Sequence, residues 1–227
     1  MNTHLNLSST SPAGTRGILV TDFDGTITSC DFFELVRARW PLAPDPWHQA
    51  LAGELPLREA LRRIFGAARG TVQEFEALYD QTGVGPETGQ AFRALQAAGW
   101  RIVVASAGCD YYIHRILGRV GVQVEVLAHR SRFIEGEGLI MEPLENSPLA
   151  HPHFGLNKAA VVRQFLDTGL PVAFAGDGTP DIEPLLLLPP DLRFATGWAA
   201  EELTRRGAAF QPFVRWPDLV DPLLKFT

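Results

Sequence analysis

The chain has 227 residues, 46% of them hydrophobic, with 20 basic against 26 acidic side chains and a net charge of −6. That length suits one generous domain or a core domain carrying an insertion, and the apolar fraction excludes global disorder and fibrous repeats. The charge argues against a general nucleic-acid or anionic-membrane binder, and the longest apolar run, residues 185–188, stops at Pro189-Pro190 without approaching a membrane span.

In chain order, residues 1–15 are polar and lack the basic start and apolar stretch of a secretion signal, which predicts a short disordered tail. Residues 17–21 form an apolar run ending at Asp22, the pattern of a buried parallel strand. Residues 31–85 then carry helix-like spacing at 32–40, 46–52, 57–66 and 72–81 with no strand between, which predicts an inserted helical cap. A helix over 87–98 precedes a strand over 101–105 that ends at Ser106. Next come a helix over 110–119 and a fourth strand over 124–128. Residues 132–134 and 139–141 flank Glu135-Gly136-Glu137-Gly138 as a small hairpin. A helix over 156–168, a strand over 171–175 running into Gly176-Asp177, and a helix over 182–188 follow. The alternation predicts an α/β fold, a doubly wound parallel sheet with a small helical cap inserted. The core would comprise residues 16–30 and 86–227, the cap 31–85.

The chemistry concentrates at strand ends. Asp22-Phe23-Asp24-Gly25-Thr26 places two carboxylates at i and i+2 beyond a strand, followed by a turn-permitting glycine and a hydroxyl. Gly176-Asp177-Gly178-Thr179-Pro180-Asp181 follows another strand. If the two strands are adjacent, three or four carboxylates converge. Such a cluster repels itself without a hard cation held by oxygen ligands, which points to Mg²⁺. Ser106-Ala107-Gly108 closes a third strand, and Lys158 opens a helix. Of the 20 basic residues 18 are arginine, so an internal lysine stands out. Each motif alone reads as an ordinary turn or loop; their order and placement together make a site.

On these four motifs the chain resembles the haloacid dehalogenase superfamily of phosphohydrolases, over about residues 17–210. The resemblance implies that Asp22 is a nucleophile forming an aspartyl-phosphate. Asp24 would protonate the leaving alcohol and then deprotonate water. Mg²⁺ would be held by Asp22, the backbone carbonyl of Asp24, and Asp177. Ser106, Lys158 and the amides near Gly25-Thr26 and Ala107-Gly108 would bind phosphate oxygens, and Asp181 would orient Lys158 or a metal-bound water. Asp24 favours phosphate-ester chemistry over dehalogenation, which needs no acid for a leaving alkoxide.

Within the superfamily, Asp31 falls where phosphoserine phosphatases carry a glutamate that reads the substrate ammonium. Ile64 falls where they carry an arginine for the carboxylate, with Arg62 and Arg63 as substitutes in a shifted register. The set is closer to the methionine-salvage branch, whose substrate, 2-hydroxy-3-keto-5-methylthiopentenyl-1-phosphate, has a methylthio tail and no carboxylate. Some of Phe32, Phe33, Trp47, Leu57, Ile64 and Phe65 would line an apolar cap for that tail. Phosphoserine hydrolysis and phosphoryl transfer to another acceptor remain alternatives. A non-catalytic scaffold predicts a lost motif residue, and none is lost. The expected partner is a small-molecule phosphate ester, with no nucleic acid and no membrane, in a cytoplasmic monomer or homodimer. Cys30 and Cys109 are expected as reduced packing residues, and His151-Pro152-His153 as a plain loop rather than a metal clip.

Overall fold

Strand β1 (Gly17–Thr21) has no exposed residue, because both of its faces are covered. The computed structural model describes residues 14–144 and 147–226; the tail expected at the N-terminus lies, up to residue 13, outside the described residues. The further strands are β2 (Trp100–Cys109), β3 (Glu125–His129), β4 (Ser131–Ile134), β5 (Gly138–Met141), β6 (Ala150–His151), β7 (Gly155–Leu156), β8 (Val172–Gly176), β9 (Arg193–Ala195) and β10 (Gln211–Pro212). Six of them make one sheet in the order β10-β9-β8-β1-β2-β3, parallel throughout. The pairs β4–β5 and β6–β7 are separate antiparallel hairpins.

Side-chain alternation along β1 divides the core. Ile18 and Val20 join Val161, Phe165, Phe174 and Leu203 in one apolar layer, whereas Leu19 joins Phe92, Ile113 and Trp216 in the other. The insertion after β1 carries α1 (Phe32–Arg39), α2 (Pro46–Leu51), α3 (Leu57–Gly66) and α4 (Val72–Glu76), with no strand among its described residues. Helices α5 (Pro86–Ala97) and α6 (Asp110–Arg119) lie on the Leu19 face. Helices α7 (Lys158–Leu166), α8 (Ile182–Leu186) and α9 (Gly197–Arg205) cover the other, and α10 (Val220–Lys225) returns to the first. A parallel sheet covered on both faces is the doubly wound arrangement.

The helical insertion shares its core with the Leu19 face. Phe32 stacks on Tyr112 of α6 with ring centroids 4.5 Å apart, and Phe65, Phe75 and Tyr79 complete the aromatic cluster. Helix α3 turns Leu61, Ile64 and Phe65 inward, while Arg62 and Arg63 bond Glu59 on its outer face. It is gripped at both ends. The Arg58 amide donates to the carbonyl of His153 at 3.0 Å, and beyond its C-terminus the Gly136 amide donates to Gly70. The β4–β5 hairpin approaches so closely that a side chain at Gly138 (φ +99°) would sit 2.7 Å from the Gly66 carbonyl oxygen.

Several boundaries differ from the expected ones for local reasons. The helix expected over 72–81 starts with a Thr71–Glu74 capping box but tightens into a 3-10 turn over Ala77–Gln81. The strand expected over 101–105 continues, past a register shift, until Cys109 pairs with His129. The helix expected from 156 starts at Lys158, because Asn157 caps it through the Ala160 amide at 2.9 Å and Gly155-Leu156 is spent in β7. The helix expected over 182–188 ends at Leu186, ahead of the two prolines.

Candidate active site

The parallel sheet aims the ends of β1, β2 and β8 at one crevice, at the point where strand order reverses. Asp22 follows β1 there, and its Oδ1 accepts the Phe23 amide at 2.7 Å. Lys158 Nζ, 2% exposed, lies 2.7 Å from Asp22 Oδ2 and 2.6 Å from Asp181 Oδ1. Asp181 Oδ2 accepts the amides of Asp177 and Gly178, and a side chain at Gly176 would meet the Asp181 carboxyl carbon at 2.5 Å. Oxygen atoms of Asp22, Asp177 and Asp181 all lie within 4.8 Å of one another.

Three carboxylates around one ammonium leave the cluster anionic. Burial, opposed by Lys158 and reinforced by Asp181 and Asp177, pushes Asp22 well above the usual carboxylate range. Burial and Asp181 bring Asp177 to about 6. For Lys158, burial works against the charge, but Asp181 and Asp22 outweigh it and hold the ammonium above its ordinary range. Asp181 spends its oxygens on Lys158 and two amides, which leaves Asp22 and Asp177 as the carboxylates with capacity for a cation. An all-oxygen, over-charged set of this kind fits Mg²⁺.

Asp24 faces the other way. Its Oδ2 accepts the hydroxyl of Tyr112 at 2.5 Å and its Oδ1 accepts the Phe32 amide at 2.9 Å. Burial raises its pKa against those hydrogen bonds. Ser106 is 1% exposed inside β2, in the stretch after Ala105 where the register shifts, and its Oγ accepts the Gly108 amide at 3.0 Å.

Asp22, Asp24, Asp31, Ser106, Ala107, Gly108, Lys158 and Asp177 all border one cavity of about 390 Å³. Gly25 and Thr26, expected on the phosphate side, do not. Their amides go to Thr28 Oγ1 and the Phe23 carbonyl, the Thr26 hydroxyl donates to Asp177 Oδ1 at 2.6 Å, and both residues line a different cavity. Phe33, Trp47, Leu57 and Phe65 supply an apolar wall, but Phe32 and Ile64 do not reach it; they are buried in the core instead. Arg62 and Arg63 also lie elsewhere, and among the described residues Lys158 is the only lysine or arginine bordering this cavity. Asp31 sits at about 7, raised by burial and then by Asp24.

Tyr112, Phe154 and Trp198 border this cavity without having been singled out in the sequence, and His153 was expected only as part of a plain loop. In the His-Pro-His stretch His151 closes β6, and Pro152-His153 lie in the turn between β6 and β7. Yet His151 Nδ1 accepts the amides of His153 and Phe154, each at 3.1 Å, and this turn presents both residues to the cavity. The side-chain pattern around a two-residue hairpin carries no signal of that.

A family model described as haloacid dehalogenase-like hydrolase matches residues 19–185. A 2-hydroxy-3-keto-5-methylthiopentenyl-1-phosphate phosphatase from an Exiguobacterium species is 23% identical over 207 residues, covering 88% of this chain and 94% of that protein. A phosphoserine phosphatase from Idiomarina loihiensis is 24% identical over 124 residues, covering 53% of this chain and 56% of the other. The crystal structure of a phosphoserine phosphatase from T. onnurineus shares the fold, with a TM-score of 0.63 at 18% identity over 96% of this chain and 99% of that one.

Proposed function

The chain belongs to the haloacid dehalogenase-like hydrolase family as a phosphoric monoester hydrolase, and from that premise we propose that it is a Mg²⁺-dependent phosphatase acting through an aspartyl-phosphate on Asp22. The observation that carries this reading is the division of labour between two carboxylates two residues apart. Asp22 is paired with Lys158 at the carboxylate cluster, while Asp24 is turned away from it and held by neutral donors. In the first step an Asp22 oxygen bonds to phosphorus, the ester P–O bond breaks, and the departing alkoxide takes the proton of Asp24. In the second, water attacks the phosphorus and gives its proton to Asp24. The bond from phosphorus to Asp22 breaks, leaving inorganic phosphate and a free carboxylate. Lys158 and the Ser106 hydroxyl neutralise the non-bridging oxygens. Asp22, Asp177 and the Asp24 carbonyl would hold Mg²⁺, which when bound offsets the repulsion between carboxylate and phosphate. On this reading residues 16–30 and 86–227 are the catalytic core and residues 31–85 the cap over it.

The apolar wall and the lack of any bordering arginine favour a leaving alcohol without a carboxylate. That supports 2-hydroxy-3-keto-5-methylthiopentenyl-1-phosphate over phosphoserine, a carboxylate partner being worth about 1.5–3 kcal/mol where a charged hydrogen bond is made. The test is release of p-nitrophenol from p-nitrophenyl phosphate, with Mg²⁺ or with EDTA, by the wild type and Asp22→Asn. Turnover should need Mg²⁺ and fall by at least about a thousandfold in the variant; equal rates in all samples remove Asp22 as nucleophile. A panel containing both natural esters then ranks the substrates, and a strong preference for phosphoserine overturns the substrate reading alone.

A further inference from the structure

A carboxyl group that must hand a proton to a departing oxygen works only if one of its own oxygens is aimed there, and a free aspartate side chain turns readily about its last bond. Asp24 is not free to turn. One oxygen is bonded to the Tyr112 hydroxyl and the other to the Phe32 amide, so rotation of the carboxyl plane breaks both hydrogen bonds. The two donors come from different parts of the molecule. Tyr112 stands in the first turn of α6, whereas Phe32 is the first residue of α1 in the helical insertion.

The phenol is itself immobilised. Tyr112 is fully buried, stacked on Phe32 and packed on Phe65 and Phe23 at centroid distances of 5.6 and 5.9 Å. Its hydroxyl reaches Asp24 over the bare backbone of Gly108, where any added Cβ would overlap the phenol oxygen. The glycine after Ser106-Ala107 therefore has a second use: it leaves room for that oxygen.

We propose that Tyr112 is a positioning residue for phosphoryl transfer, its hydroxyl aiming the Asp24 carboxyl at the leaving oxygen. This rests on the assignment of Asp24 as the acid made above. Because the phenol acts through Asp24, its contribution depends on how much the leaving group needs a proton. An alkoxide needs one; p-nitrophenolate leaves without it.

The test is kcat/KM, which reports phosphoryl transfer to Asp22, measured with Mg²⁺ for an alkyl phosphate, p-nitrophenyl phosphate and aryl phosphates of graded leaving-group basicity. For Tyr112→Phe the alkyl ester should lose about tenfold or more and p-nitrophenyl phosphate less than about threefold, part of the 10²–10⁴ that a positioned acid contributes. The plot against leaving-group basicity should steepen. A ratio between substrates does not depend on the fraction of folded protein, so a stability loss cannot imitate the result. Gly108→Ala keeps the tyrosine but pushes its oxygen off Asp24, and should lower the alkyl ester by a larger factor than p-nitrophenyl phosphate. Equal losses for all esters, or none, overturn the role of Tyr112. Asp22→Asn measured alongside separates the two readings: if it retains activity the aspartyl-phosphate mechanism fails, whereas if it is inactive and Tyr112→Phe is unselective, only the positioning role fails.

Discussion

Lys158 shows how a single residue type is chosen by its surroundings. The ammonium bridges two carboxylates 2.7 and 2.6 Å away inside a wall of buried groups. It is a compact point charge on a thin stem, and the planar fork of an arginine needs more room and a different donor geometry. In a chain that otherwise uses arginine almost everywhere, the lysine is fixed by that space. Lys158→Arg should lower phosphatase turnover by at least about a hundredfold, the scale of one lost oxyanion donor, as measured with p-nitrophenyl phosphate. Near-wild-type turnover would mean that charge alone matters. Lys158 could be singled out from composition, and the family resemblance offered Asp181 as its partner or as the partner of a metal-bound water; spacing alone could not pair them, because the two stand 23 residues apart on different elements.

At the scale of elements, α3 shares the apolar wall with α1 and α2, and the two hairpins of the core hold it. The insertion's helices were legible from their 3.6-residue periodicity, and α3 most clearly, since its inward Leu61, Ile64 and Phe65 contrast with its outward Arg62 and Arg63. Which inward residues border the cavity was not legible. Ile64 and Phe65 are adjacent in sequence and equally buried, yet only Phe65 reaches the cavity. That difference is set by the rotation of α3 against the β4–β5 hairpin. Gly138 controls the approach, through both its φ of +99° and its contact with the Gly66 carbonyl. Gly138→Ala should therefore cost about 1–3 kcal/mol of stability, read from urea unfolding, and raise KM more than it lowers kcat. An unchanged midpoint would show that the hairpin does not set the position of α3.

For the whole molecule, the net charge of −6 is a poor guide to the site, because the local balance differs: a buried carboxylate cluster has room for a cation, and one lysine stands against it, where the proposed reading puts the phosphate. The consequence for stability has a definite sign. Asp177 titrates at about 6 in the fold, above the ordinary value of about 3.9 for an unfolded aspartate. A raised carboxyl contributes stability that is complete below the unfolded value and lost as pH rises through the folded one. Asp31, at about 7, acts in the same direction, whereas buried His129, held below the usual imidazole range chiefly by burial, favours higher pH. In EDTA, Asp177→Asn should raise the melting temperature more at about pH 8 than at about pH 5 and should abolish stabilisation by Mg²⁺. A gain equal at both pH values would show that Asp177 carries no unfavourable charge. The alternation of strands and helices made the doubly wound class legible in the sequence. The order of the sheet was hidden, because β9 and β10 are three and two residues long, too short for any periodicity.

Strand β1 precedes the other described elements and lies in the interior of the sheet, where Thr21 pairs with Ala175 and its hydroxyl accepts the indole N–H of Trp216, 195 residues away. Contacts of such sequence separation close slowly, since the loop entropy is lost before the pairing is gained. During synthesis Asp22 is made before Asp177, Asp181 and Trp216 and waits for them. The residue proposed as nucleophile thus precedes the groups that surround it, and turnover through it has to wait until those later segments have folded back beside β1.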